Sequence, residues 1–198
     1  MGKARDRGLL EVHTAFLRDF SGNKHSKVDD TIYGGGPGML LQVGPIFRAL
    51  SSLEEKKGHV ILLSPTGETW NQKLAKELAS DFQTFTFISG YYEGVDHRVK
   101  EHLIDREVSL GNYVISTGDL GALVLADSLA RLVRGVLGDE ESLIEESHND
   151  EGILEYPQYT KPRDFQGWIV PEVLLEGHHE RILEWRRSHR RNKGWMRE

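Results

Sequence analysis

The sequence predicts an α/β protein, a mostly parallel β-sheet flanked by helices. Short segments of apolar, aromatic and β-branched residues recur at 60–63, 85–88 and 113–115. They are too short for helices, and glycine, proline or polar residues bound each one. Segments of helical periodicity separate them, and strands that alternate with helices pair in parallel. With 198 residues, 38% of them hydrophobic and 28% charged, the chain suffices for one large domain or a domain plus an appendage.

Ahead of the first run, the stretch DDTIYGGGPGML at 29–40 sets four glycines and a proline in five positions. Glycine costs roughly 0.5 to 1 kcal/mol against alanine in regular structure, so a shaped turn is predicted here. Pro37 directs Gly36 toward the extended region. The bare backbone can approach a ligand or the protein itself, and both readings stand. Next, GHVILLSPTGETWNQKLAKELAS reads as a strand at 60–63, a Pro and Gly turn, and a helix carrying Trp70, Leu74 and Leu78 at four-residue spacing. A second strand is predicted at 85–88, a loop at 90–96 and a short helix from His97. The third strand is predicted at 113–115, followed by a long helix with Asp119 in its first turn and Gly135 near its stop.

Beyond Gly138 the composition changes. Eight acidic residues and no Lys or Arg occupy 139–155, whereas 181–198 holds seven basic residues against two acidic ones. These shifts predict a domain at 1–138, an acidic linker at 139–167 and a basic, helical carboxyl segment at 168–198. The basic tail fits either a phosphate contact or a solvated helix end. The net charge of −6 argues only weakly against nucleic acid, because the charges are so unevenly placed. No cysteine is present, so disulfides and thiolate metal sites are excluded and a reducing, cytoplasmic setting is favoured. The nine histidines do not group as ligands and no HExxH occurs, hence no structural metal is expected. The amino end lacks an apolar signal core, Asp6 stands where a myristoylation signal wants Ser or Thr, and no run approaches the ~20 apolar residues of a membrane span. A soluble protein without membrane contact is expected.

In parallel sheets ligands collect beyond the carboxyl ends of strands, which singles out the loops 64–68 (SPTGE), 89–94 (SGYYEG) and 109–119 (SLGNYVISTGD). No GxGxxG follows the first run, GGGPGML lacks the GK[ST] of a P-loop, and there is no GxSxG elbow. Spacing alone indicates a small-molecule pocket.

Seven blocks in order, VDDTIYGGGPGML, LLSPTGE, GYYEGVDHRV, SLGNYVISTGDL, DSLARLVRGVLG, GILEYPQYTKP and VPEVLLEGHH, resemble the bacterial tRNA (guanine-N1)-methyltransferases of the SPOUT superfamily. The resemblance runs from about residue 8 to residue 191. It implies a SPOUT-type sheet with a trefoil knot at its carboxyl end, a topology that periodicity does not reveal. It also implies S-adenosylmethionine as cofactor, with assistance from a divalent ion such as Mg²⁺; the sequence itself has no dedicated magnesium cage and offers only Glu93 near the site. The reaction that the resemblance implies is methylation of N1 of the guanosine immediately 3′ of the anticodon in tRNA, by an obligate homodimer whose active site is shared between subunits.

Carried over by position, the cofactor pocket comprises Leu63, Ser64, Pro65, Gly67, Gly90, Tyr92, Glu93, Leu110, Gly111, Asn112, Tyr113, Val114, Ile115 and Gly118. For Tyr113 and Ile115 a place in the strand core is the alternative. The resemblance places the general base eight residues past Gly138, at Glu146, where the family has aspartate, and makes Arg131 the cation that stabilises charge on O6. One extra residue between Ser147 and Gly152 makes Asp150 a second candidate base. His25, Asp29, Tyr33, Pro37, Gly38 and Ser147 are the implied tRNA contacts. Tyr91, Thr117, Asp119 and Gly121 depart from the family's pattern. Family members also have an opening strand and helix before the region matched by RGLL, and a helical domain beyond GWMRE, both expected to be missing here. A degenerate relative that binds cofactor or RNA without turnover, and a SPOUT enzyme with another RNA target, stand as the alternative readings.

Overall fold

In the computed structural model, which describes residues 2–137, 147–148 and 153–192, the chain divides into two units, Met1–Gly138 and Asp139–Glu198. The first unit holds α1 (Gly2–Asp6), β1 (Asp29–Thr31), β2 (Met39–Leu41), α2 (Val43–Leu53), β3 (His59–Thr69), α3 (Gln72–Asp81), β4 (Phe85–Ile88), α4 (His97–His102), β5 (Arg106–Ser109) and α5 (Asp119–Ala130). β3 is the middle strand of a parallel sheet of order β4-β3-β5. β1 and β2 form an antiparallel ribbon, which joins the loop after β4 through a parallel bridge from Leu41 to Val95.

The run Val60 to Leu63 explains why β3 is central. Successive side chains of a strand point to opposite faces, so an unbroken apolar run suits a strand covered on both sides. Val60 and Leu62 pack with Val28, Leu41, Ile46, Leu50, Ile88, Val95 and Val99, a core supplied by α2, α4 and the ribbon. Ile61 and Leu63 pack on the other face with Leu74, Leu78, Val108, Leu125 and Leu129, from α3, β5 and α5. Each such side chain contributes about 1.5–3 kcal/mol when withdrawn from water. Caps set the helix starts: Asn71 Oδ1 accepts the Leu74 amide at 2.9 Å to open α3, and Asp96 Oδ1 accepts the Arg98 amide at 3.0 Å to open α4.

Two predicted elements are corrected. The third strand is β5, Arg106–Ser109, while Tyr113, Val114 and Ile115 lie in an exposed loop. β5 escapes an apolar-pattern reading because Arg106 and Glu107 occupy half of it; Arg106 pairs with Glu68 at 3.1 Å and Glu77 at 3.4 Å, and Glu107 pairs with Lys100. β3 also runs on through SPTGET to Thr69, so Trp70 precedes α3 and ties it to α5 by donating to Ser128 Oγ at 3.0 Å. α5 stops at Ala130, before Gly135, and Gly36 takes φ +130, a conformation open to glycine and not the extended one that Pro37 predicts.

The second unit pairs β6 (Ile153–Leu154) with β9 (Arg191–Asn192) and contains a hairpin of β7 (Asp164–Phe165) and β8 (Trp168–Ile169). The hairpin turns through Gln166 and Gly167, both at positive φ. The basic helix is α6, His179–His189, whose Trp185 stacks on His189 at 4.1 Å and meets Tyr156 and Tyr159. Among the described residues no helix is long and apolar enough to cross a membrane.

Candidate functional site

At the carboxyl edge of the sheet β3 leaves β5 and comes back to it. Leu63 and Glu68 both register with Val108, so residues 64–67 form an excursion whose two ends rest on one position of β5. Gly67 closes it: a Cβ there would stand 2.4 Å from the Val108 amide nitrogen. Only glycine permits so close a backbone approach. The polar side chains of the excursion are held as well. Thr66 Oγ1 donates to Glu107 Oε1 at 2.6 Å and lies 2.9 Å from Ser64 Oγ. Lys100 Nζ, reaching across from α4, donates to Glu107 Oε1 at 2.5 Å, Thr66 Oγ1 at 2.9 Å and Ser64 Oγ at 3.3 Å. Burial works against ionisation of Glu107, but hydrogen bonds from Lys100, Ser64 and Thr66 outweigh it and hold the carboxyl below its ordinary range.

The other two glycine loops close over the same edge. The Gly118 amide donates to the Gly90 carbonyl at 2.9 Å, and a Cβ on Gly118 would lie 2.8 Å from the Gly90 nitrogen. Gly121 sits against Leu63 and Leu110, at 3.1 and 3.6 Å from its virtual Cβ. Leu63, Gly90, Leu110 and Gly118 are therefore brought together, apolar side chains beside bare backbone. Gly111, at φ +154, is covered by the Tyr113 ring, and Tyr113, Val114 and Ile115 face solvent in the next few residues, with Asn112 exposed among them.

A fourth element joins this edge. Gly34, Gly35, Gly36 and Gly38 all have positive φ, and the first three would meet nothing if given a Cβ, so backbone shape alone demands glycine there. Gly38 is packed on the Glu93 side chain, and the Glu93 amide donates to the Met39 carbonyl at 3.1 Å. The 34–38 turn and the 89–94 loop thus touch. Tyr33, at 97% exposure, and Pro37 stand out from the turn, whereas Asp29 is buried at its base on β1. Tyr92, in the adjoining loop, is held at φ +57.

His25 is exposed on a loop shaped by Asn23, whose Oδ1 accepts the amides of His25 and Lys27 at 3.1 Å each. Arg131 caps the end of α5. In the second unit, Ser147 Oγ accepts the Glu155 amide at 2.9 Å. Glu146 and Asp150 lie outside the described residues. Sequence reasoning missed Asn23, Lys100 and Glu107. A Lys seven residues before a Glu carries no signal until α4 and β5 are seen to lie side by side.

Among the described residues, no group of three or more His, Asp or Glu is clustered to hold a metal. A parallel sheet with glycine backbone, hydroxyls and apolar side chains gathered at one carboxyl edge makes this an α/β protein whose candidate small-molecule site is that edge. The comparisons with known proteins narrow the class. A family model described as tRNA (Guanine-1)-methyltransferase TrmD matches residues 1–198. A tRNA (guanine-N(1)-)-methyltransferase of Dictyoglomus turgidum is 52% identical over 98% of this chain and 78% of its own length. Proteins of the same name from Brevibacillus brevis and Clostridium perfringens are each 50% identical, over 94% and 95% of this chain and 76% and 79% of theirs. The chain belongs to the tRNA (guanine-1)-methyltransferase TrmD family.

Proposed function

We propose that the protein transfers the methyl group of S-adenosylmethionine to N1 of the guanosine immediately 3′ of the anticodon in tRNA. The observation that carries this reading is the identity of about half, spanning the very loops that the fold gathers at the sheet's carboxyl edge, to enzymes named for guanine-N1 methylation.

The residues present suit the cofactor. Leu63 and Leu110 offer apolar walls, Gly90 and Gly118 exclude side chains where their backbones meet, and the 110–115 loop presents Tyr113 and Ile115 to solvent. When bound, S-adenosylmethionine supplies a methyl group activated by its sulfonium. The chain's own part is to free N1 of its proton and to hold the charge that develops on O6. We assign the first to the Glu146 carboxylate and the second to the Arg131 guanidinium. The 34–38 turn, bare of side chains and in contact with Glu93, lets a flipped base come close. His25, Asp29, Tyr33, Pro37, Gly38 and Ser147 would contact the tRNA. A divalent ion such as Mg²⁺ beside Glu93, a trefoil knot formed where the 89–94 and 109–118 loops meet, and a cytoplasmic site of action belong to the same reading.

The active unit is a homodimer. α5 has Leu125 and Leu129 in the core, while Leu120, Leu123 and Val124 are exposed on its outer side together with Asp127. Three exposed apolar side chains so close together suit a surface on which a second copy packs.

The test is tritiated methyl transfer to undermodified tRNA, with the modified nucleotide mapped. Label on N1 of the guanosine 3′ of the anticodon is expected. Glu146→Gln lowers the rate by about 10² to 10⁴ while calorimetry still registers S-adenosylmethionine. Cofactor binding by the wild-type chain without transfer overturns the proposal.

A further inference from the structure

We infer that Lys100 is a positioning residue for the methyl-donor pocket, acting through Glu107 and Thr66 to fix the shape of the 64–67 excursion. The inference rests on the cofactor reading of Leu63, Ser64, Pro65 and Gly67 given above.

Three observations support it. First, no residue of the excursion registers with a neighbouring strand: its ends are anchored at Val108, and between them the Ser64 and Thr66 hydroxyls bond to each other and Thr66 to Glu107. Second, Lys100 is the hub of those bonds. Its ammonium has three protons, and its three acceptors in the structure are Glu107, Thr66 and Ser64. Third, Glu107 is also the acceptor for Thr66, so a single carboxylate oxygen links α4, β5 and the excursion. Both charged groups are about three-quarters withdrawn from water, at 23% and 24% side-chain exposure, which spares the pair much of the screening that weakens surface ion pairs.

Neither Lys100 nor Glu107 belongs to the assigned contact residues. Their effect is therefore on where the Ser64 hydroxyl and the backbone of 64–67 stand before the cofactor arrives. A displacement there weakens binding of the donor and leaves the chemical step, which depends on Glu146 and Arg131, largely as it was.

The test measures KM for S-adenosylmethionine, kcat and calorimetric Kd in the full chain. Lys100→Met and Thr66→Val are each expected to raise KM and Kd by about tenfold with kcat within about twofold, while Thr66→Ser, which keeps the hydroxyl, stays near wild type. Folded Lys100→Met with unchanged KM and Kd overturns the inference. Should Lys100→Met fail to fold, the Thr66→Val and Thr66→Ser pair decides: equal affinities overturn it, and a loss in Val restored in Ser supports it. A wild-type chain that neither binds S-adenosylmethionine nor transfers methyl removes the functional reading, and this inference falls with it. An active wild type with unaltered variants removes the inference alone.

Discussion

His59, at the amino edge of the sheet, makes stability depend on pH. Its ring stacks on Phe82 at 4.1 Å and meets Phe85 edge-on, its Nε2 is buried without a hydrogen-bond partner, and its Nδ1 lies 3.9 Å from Asp105 Oδ2. Burial, the largest influence, disfavours the imidazolium; Asp105 opposes that and Arg106 adds to it, and the ring's pKa falls below 6.5. As pH drops below 6.5 the unfolded chain takes up a proton that the folded one resists, so this contribution to stability is present above that value and lost below it. Urea midpoints are expected to fall between about pH 7 and about pH 5, and His59→Phe is expected to flatten that fall. Equal slopes for variant and wild type would discount His59.

Among the elements, β3 and β5 carry the site, and their closest approach is at Gly67. Gly67→Ala sets a methyl group against the backbone of Val108, with no flexible side chain to give way. We expect a loss of about 1–3 kcal/mol in thermal unfolding, together with weaker S-adenosylmethionine binding in calorimetry. An alanine variant with wild-type stability and affinity would show that the strands separate freely. These same strands mark how far the sequence could be read. The run at 60–63 was legible because both faces of the central strand demand apolar side chains, and 85–88 because its aromatic and β-branched residues suit a strand; the parallel order then pointed to the loops at 64–68, 89–94 and 109–119. β5 was not legible, because Arg106 and Glu107 satisfy themselves with ion pairs that only the fold assembles. The exposed Tyr113, Val114 and Ile115 look like a strand for the opposite reason, being apolar residues with no core to enter. The return of β3 to Val108 depends on pairing between distant segments and leaves no local mark. Motif order across the chain supplied Glu146 and Arg131, which no spacing rule would select.

For the whole molecule, the outer face of α5 is where the proposed homodimer is tested. Leu120 and Leu123 are about three-fifths exposed there, apolar area of the kind that supports association. Sedimentation at micromolar concentration is expected to show a dimer. Leu123→Asp is expected to give a folded monomer that no longer transfers methyl, and a monomeric wild type would count against the shared site. The anchoring of 64–67 at both ends on Val108 has a calorimetric consequence. Because that segment is already ordered, the entropy of ordering it is incurred in folding and not at binding. The heat capacity change when the donor binds then reflects the buried surface of the donor and its pocket, without the large negative contribution of a segment that folds around its ligand.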